Sequence, residues 1–185
     1  MASMRDIKRR KSSIQSTQQI TKAMKLVSTV KLQKARSHAE QTDPYFQHMY
    51  QTVTSILARS GNMDHPYLAE NGSDKIAVVV ITANRGLAGG YNSNIIKLVQ
   101  TSGLPKEKVL LYTIGTKGKD ALERRGYQVT LDASDVIESP AYRDAMEICD
   151  KVLKDFAEGK IGQIYIAYTH FKNTVVHVPT FMKLL

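Results

Sequence analysis

Tryptophan is absent from this chain, cysteine occurs once and proline five times. A single cysteine, Cys149, excludes an internal disulfide and any cysteine-based metal site. Residues 1–60 contain no glycine and only one proline, Pro44, so nothing interrupts a helix before "QTDP". No apolar run has the length of a membrane span, and "MASMRDIKRRKSSIQ" lacks the apolar stretch of a secretory leader. A mean hydropathy of -0.29 over 185 residues then predicts a soluble, cytosolic chain of one ordinary domain with an appendage.

Acid is scarce in one place. Residues 1–36 hold ten of the 26 Lys+Arg but one of the 17 acids, Asp6, so the net charge of +9 sits on this arm and the remaining 149 residues are balanced. A basic arm on a neutral domain suits nucleic acid, an anionic membrane surface or an acidic protein face, and charge alone does not choose among them.

The arm reads as one long helix. The forty-odd residues before Pro44 would reach roughly 60 Å at ~1.5 Å per residue. Ile20, Ala23, Met24, Val27 and Val30 form an apolar stripe at steps of three and four; Phe46, Met49, Val53, Ile56 and Leu57 form a second beyond the proline. Towards the N-terminus the stripe thins to Ile7 and Ile14. Only part of so long a rod can lie on a domain made from the other residues, so part of the stripe needs a partner from elsewhere.

Residues 75–185 have a different grammar. "KIAVVVITA", "KVLLYTIG", "YQVTLD", "QIYIAYTHF" and "TVVHVPTFMKLL" read as strands, the first a β-branched run of the kind covered on both faces. Between them lie a helix capped by Asn92 or Ser93 and stopped at Gly103, one capped by Thr116 and stopped at Gly126, and one capped by Ser139, with Pro140 in its first turn and Gly159 past its end. This alternation predicts an α/β, Rossmann-like domain with a largely parallel sheet.

The loop "ITANRGLAGGYNSNI", residues 81–95, stands where doubly wound folds bind phosphate. Its glycines, Gly86, Gly89 and Gly90, are spaced G-x-x-G-G; the dinucleotide spacing is G-x-G-x-x-G, and no G-K-[ST] follows. A tight strand-to-helix turn with Arg85 at its tip accounts for them better. The five histidines show no zinc-binding spacing, Cys149 has no basic neighbour in sequence, and Asp132, Asp135 and Glu138 precede a helix start, where acids are favourable in any case. The residues thus point to no catalytic residue, cofactor or metal. Two readings stay open beside an interaction protein: a nucleic-acid binder with a basic helical arm, and a nucleotide-binding enzyme using the glycine loop.

The letters resemble one family, the gamma subunits of F-type ATP synthases. "RDIKRRKSSIQSTQQITKAMKLVSTVKLQKA" is similar to that family's N-terminal helix almost position by position, with "TQQITKAM" its most specific element. "ITANRGLAGGYNSNI" resembles the family's D-R-G-L-C-G-G loop, with Asn84 for the usual aspartate and Ala88 for the usual cysteine; "HPYL" and "NTVVHVPT" fit as well. The resemblance implies a long coiled-coil-type helix over residues 1–60, a linker over 61–74 and an α/β foot domain over 75–185. It implies a non-catalytic central rotor stalk, peripheral on the cytoplasmic face of a bacterial plasma membrane. Proton flow through a membrane c-ring would turn it against the catalytic α and β subunits, with a small ε subunit at the foot. Arg9, Arg10, Met24, Lys25, Lys31 and Arg85 would then meet acidic β-subunit loops, and Gly86, Gly89 and Gly90 would shape the turn presenting Arg85. Gamma subunits also continue into a second long helix wound antiparallel on the first, which is expected to be missing here. A homo-oligomer through the N-terminal helix is the expected substitute, and nucleic acid is not an expected partner.

Overall fold

A computed structural model of the chain describes residues 3–60, 65–67 and 69–185. Leu68 of "HPYL" lies outside the described residues. The chain divides into two compact units, Met1–Met63 and Asp64–Leu185.

The first unit is a single helix, α1 (Met4–Arg59). Its start explains the arm's one acid. Ser3 caps the helix by accepting from the Arg5 N–H, and Asp6 reaches back to accept from the Ser3 N–H at 3.2 Å, a reciprocal box at the positive end of the helix dipole. The helix runs on through Pro44. That proline removes the bond the Glu40 carbonyl would accept, which is tolerable because this stretch is exposed and water reaches the carbonyl. Ser60 closes the end, its N–H donating to the Ile56 carbonyl at 3.0 Å. None of the residues of α1 is buried.

The second unit is a five-stranded sheet in the order β3-β2-β1-β4-β5. Its strands are β1 (Ile76–Ile81), β2 (Val109–Ile114), β3 (Gln128–Asp132), β4 (Gln163–Phe171) and β5 (His177–Lys183). The first four pair in parallel and β5 pairs antiparallel with β4. Helices α2 (Tyr91–Gln100), α3 (Thr116–Glu123) and α4 (Tyr142–Ala157) follow β1, β2 and β3. Alternate residues of β1 feed two cores. Ile76, Val78 and Val80 pack with Ile95, Val99 and Leu122 of α2 and α3 on one face, while Ala77 and Val79 pack with Val152 and Phe156 of α4 on the other. Burial on both faces is why this strand reads as an unbroken apolar run.

The helix starts differ from the sequence reading, each for a local reason. Asn92 does not cap α2, because its side chain accepts from the Ala83 N–H at 2.8 Å and donates to the Arg85 carbonyl; Gly90 takes the cap position without a side-chain bond. Thr116 is the first residue of α3, not its cap, and its hydroxyl donates to the Asn84 carbonyl. Ser139 and Pro140 precede α4 instead of opening it. They follow a 3₁₀ turn, Ser134–Glu138, which Ser139 closes, and Ala141 becomes the cap of α4, its N–H donating to the Asp144 carboxylate at 2.8 Å.

Candidate functional site

The two features that stood out in the sequence, the glycine turn and the basic arm, are both exposed. The turn begins where β1 ends. Thr82 is fully buried there; its hydroxyl donates to the Gly115 carbonyl at 3.0 Å and accepts from the Gly118 N–H at 2.9 Å. Asn84 then bridges two neighbouring loops, its amide donating to the Ser134 carbonyl at 2.7 Å and its side-chain oxygen accepting from the Thr116 N–H at 2.9 Å.

Arg85 follows with 83% of its side chain exposed, its guanidinium 3.7 Å from Glu138. Leu87 stands at the crest, 96% exposed and at φ +60°, a left-handed conformation that costs a side-chain-bearing residue on the order of 1 kcal/mol. Gly89 adopts φ +56° beyond it, where glycine is unstrained. Gly86 and Gly90 do not have positive φ.

Between this turn and the β4–β5 hairpin lies a crevice of about 370 Å³, lined by Ala88 to Tyr91, Asn94, Thr169, Val175, His177 and Pro179. The lining contains no lysine or arginine to meet a phosphate. Burial raises the Tyr91 hydroxyl above its ordinary pKa, keeping it neutral.

Along α1, Arg9, Arg10, Met24, Lys25 and Lys31 are all exposed. On a wheel of ~3.6 residues per turn, Arg9 and Lys31 share the sector of Ile20, Met24 and Val27, Arg10 borders it and Lys25 lies on the far side of the rod. Charge therefore interleaves with the apolar stripe at Arg9 and Lys31 and also covers the opposite face. Ile7 and Ile14 lie with Arg10 and Lys11 along a shallow groove nearer the N-terminus.

The carboxylates weighed in the sequence do not converge on a cleft. Asp132 accepts from Lys119 at 2.6 Å and from the Ser134 N–H and hydroxyl. Burial works to raise its pKa, and these donors outweigh burial and hold it below the ordinary carboxylate value. Cys149 is exposed on α4. Among the described residues no group of three or more His, Cys, Asp or Glu side chains is placed to hold a metal, and no helix is long and apolar enough to cross a membrane.

One polar cluster escaped the sequence reading. Asp155 on α4 is 2% exposed and accepts from the Tyr112 hydroxyl at 2.7 Å and from Lys151 and Lys160 at 2.8 and 3.2 Å. Burial pushes the carboxyl pKa up, but the three donors prevail and the net shift is downward; burial and the adjacent carboxylate raise the Tyr112 phenol. The legible signal was an acid beside Phe156 on the apolar stripe of α4, four residues after a lysine.

The fold and these surfaces define a protein with one long exposed basic helix and an α/β domain that presents a charged turn. The chain belongs to the ATP synthase family, whose model, described as "ATP synthase", matches residues 3–185. It is 63% identical over all 185 residues to the ATP synthase gamma chain of Lachnoclostridium phytofermentans, covering 64% of that protein. Over 98% of its length it is 39% identical to the sodium-ion-specific ATP synthase gamma chain of Acetobacterium woodii, covering 60% of it. A chain in the solved central stalk and c-ring of the Tetrahymena thermophila mitochondrial ATP synthase superposes with a TM-score of 0.67 at 25% identity, over 90% of this chain and 72% of that one. The chain thus spans under two thirds of the length of these curated relatives.

Proposed function

We propose that this chain forms the N-terminal helix and foot domain of a central rotor stalk, the gamma subunit of an ion-driven ATP synthase. The observation that carries the proposal is the family match over residues 3–185, joined to a 56-residue basic helix with no buried residue. The subunit is non-catalytic: ion flow, by protons, turns a membrane ring, the ring turns the stalk, and the stalk drives the catalytic sites of the α and β subunits through successive conformations. It sits on the cytoplasmic face of a bacterial membrane, attached through its partners.

In this reading residues 1–60 are the shaft, 61–74 the connection and 75–185 the foot that meets the c-ring and the ε subunit. Arg9, Arg10, Met24, Lys25, Lys31 and Arg85 meet β-subunit loops, with Gly86, Gly89 and Gly90 shaping the last contact. Exposed charge pairs are worth under roughly 1 kcal/mol each, weak enough for a shaft that must exchange partners at every step. The experiment is turnover of the assembled enzyme carrying Arg85→Ala or Arg85→Glu. Alanine is expected to slow it about two- to five-fold and glutamate more, since it sets like charge against an acidic loop, with the melting temperature of the chain unchanged. Unchanged turnover, or early melting of both variants, removes the contact role.

The apolar stripe of α1 is the surface a second helix of the subunit would cover. For residues 1–185 taken alone, two copies pair antiparallel through Ile20, Ala23, Met24, Val27 and Val30, an arrangement that separates the basic ends. Light scattering should then show an oligomer that grows with salt, disappears in Met24→Lys and dissolves when the second helix is supplied as a peptide. A strict monomer with a fully helical arm at every concentration would refute the pairing.

A further inference from the structure

We propose that Asn84 is a positioning residue of the arginine turn: its amide fastens the turn to Ser134 and so, together with the Asn92 bond to the Arg85 carbonyl, fixes where Arg85 is presented. The inference rests on the contact role proposed for Arg85.

Asn84 joins the loops after β1, β2 and β3, which parallel pairing brings to one end of the sheet. The amide has a single sensible orientation, because the Thr116 N–H can only donate and the Ser134 carbonyl can only accept. Its anchor is stiff. Ser134 is 8% exposed and gives both its N–H and its hydroxyl to Asp132, which Lys119 of α3 holds in turn. Ser134 also opens the 3₁₀ turn that ends at Glu138, and Glu138 faces Arg85. Two adjacent residues, Asn84 and Arg85, therefore engage opposite ends of one five-residue seat. Beyond them the crest at Leu87 is fully exposed and left-handed, so burial does not hold the turn in place.

An aspartate at position 84 has the same shape and keeps an acceptor for Thr116, but it sets a second acceptor against the Ser134 carbonyl. Asn84→Asp, the residue usual at this position in the gamma family, therefore removes the donor to Ser134 and keeps the Thr116 contact, while adding a charge beside Arg85. Asn84→Ala removes both contacts.

The test has two arms. In the chain itself, backbone order parameters for residues 85–90 should fall from ~0.85 to below ~0.6 in Asn84→Asp. Hydrogen exchange at Thr116 and in β1 should stay slow in that variant, whereas Asn84→Ala should free Thr116 too. In the assembled enzyme, Asn84→Asp should reproduce at least half of the turnover loss caused by Arg85→Ala and add nothing in the Arg85→Ala background, the non-additivity expected of two residues acting through one contact. Unchanged order parameters, turnover losses that multiply, or loss of protection throughout β1 would each overturn the proposal. If Arg85→Ala leaves turnover intact while Asn84→Asp loosens the turn, the contact reading falls and the clamp stands.

Discussion

At Gly115 a single hydrogen atom in place of a side chain lets two strand ends meet. Its φ of +105° suits glycine alone, and a Cβ there would overlap the carbonyl oxygen of Thr82. Gly115→Ala is therefore expected to destabilise the domain by about 3 kcal/mol or more, read as a fall in denaturant midpoint. Asp155 is the second sensitive position. Asp155→Leu would strand the Tyr112 hydroxyl in the core, at a cost of about 1–3 kcal/mol, whereas Asp155→Asn leaves it an acceptor. Because the Asp155 pKa is lower in the folded chain than its ordinary 3.8, its charged form stabilises the fold. That contribution is complete well above pH 3.8 and is lost as pH falls through the lowered value. The stability difference between the parent and Asp155→Asn should accordingly shrink below pH 3.8 in an acid titration of unfolding, and a difference that grew with acid would contradict the assignment.

At the scale of elements, β5 forms one edge of the sheet, and its pairing shows how that edge is guarded. The Leu184 N–H donates to the Ile164 carbonyl and the Lys172 N–H to the Val176 carbonyl, so in this antiparallel ladder the even-numbered residues of β5 bond to β4. Pro179 is odd-numbered. It faces outward, where its missing N–H costs no ladder bond and denies one to an incoming strand. Pro179→Val should leave the melting temperature nearly unchanged yet raise aggregation in concentrated solution, measured by turbidity after mild heating; equal turbidity would show that the edge is guarded by something else.

The same elements show what was legible beforehand. All five strands could be read, β1, β2 and β4 because burial dictates their apolar composition, most plainly in β1, and β3 and β5 from their β-branched and aromatic residues alone; the two-faced helix pattern located α2, α3 and α4. Helix starts were misread at Asn92, Thr116 and Ser139 because each depends on a contact with a segment distant in sequence or on an intervening turn, which no local rule records. For the same reason Asn84 was legible only as a departure from the family's usual aspartate: its bonds to Thr116 and Ser134 appear once the sheet brings positions 84, 116 and 134 together.

For the whole molecule, the lower boundary of the α/β unit reaches into the stretch 61–74. Asn71 donates to the carbonyls of Phe156 and Ile161 at 2.8 and 2.7 Å, and the Tyr67 ring meets Phe156 edge-on. A chain of residues 65–185 should therefore melt in one cooperative transition at the temperature of the intact domain. One starting at residue 75 should melt several degrees earlier, and equal melting temperatures would show that Asn71 contributes nothing.

The strand order also has a consequence for synthesis. The central strand β1 gains one neighbour from β2, but its other neighbour is β4, with Ile76 paired to Gln163. Neither apolar face of the sheet is complete until β4 has been made. At roughly 5–20 residues per second, β1 leaves the ribosome roughly 5–20 seconds before β4 does. Throughout that interval α1 is already fully synthesised, apolar on one side and strongly basic, while the strand that follows it lacks its partner. For a nascent chain this is a long delay in which the apolar segment "IAVVVI" and the unburied apolar stripe of α1 are both present before β4, the strand that completes the pairing of β1.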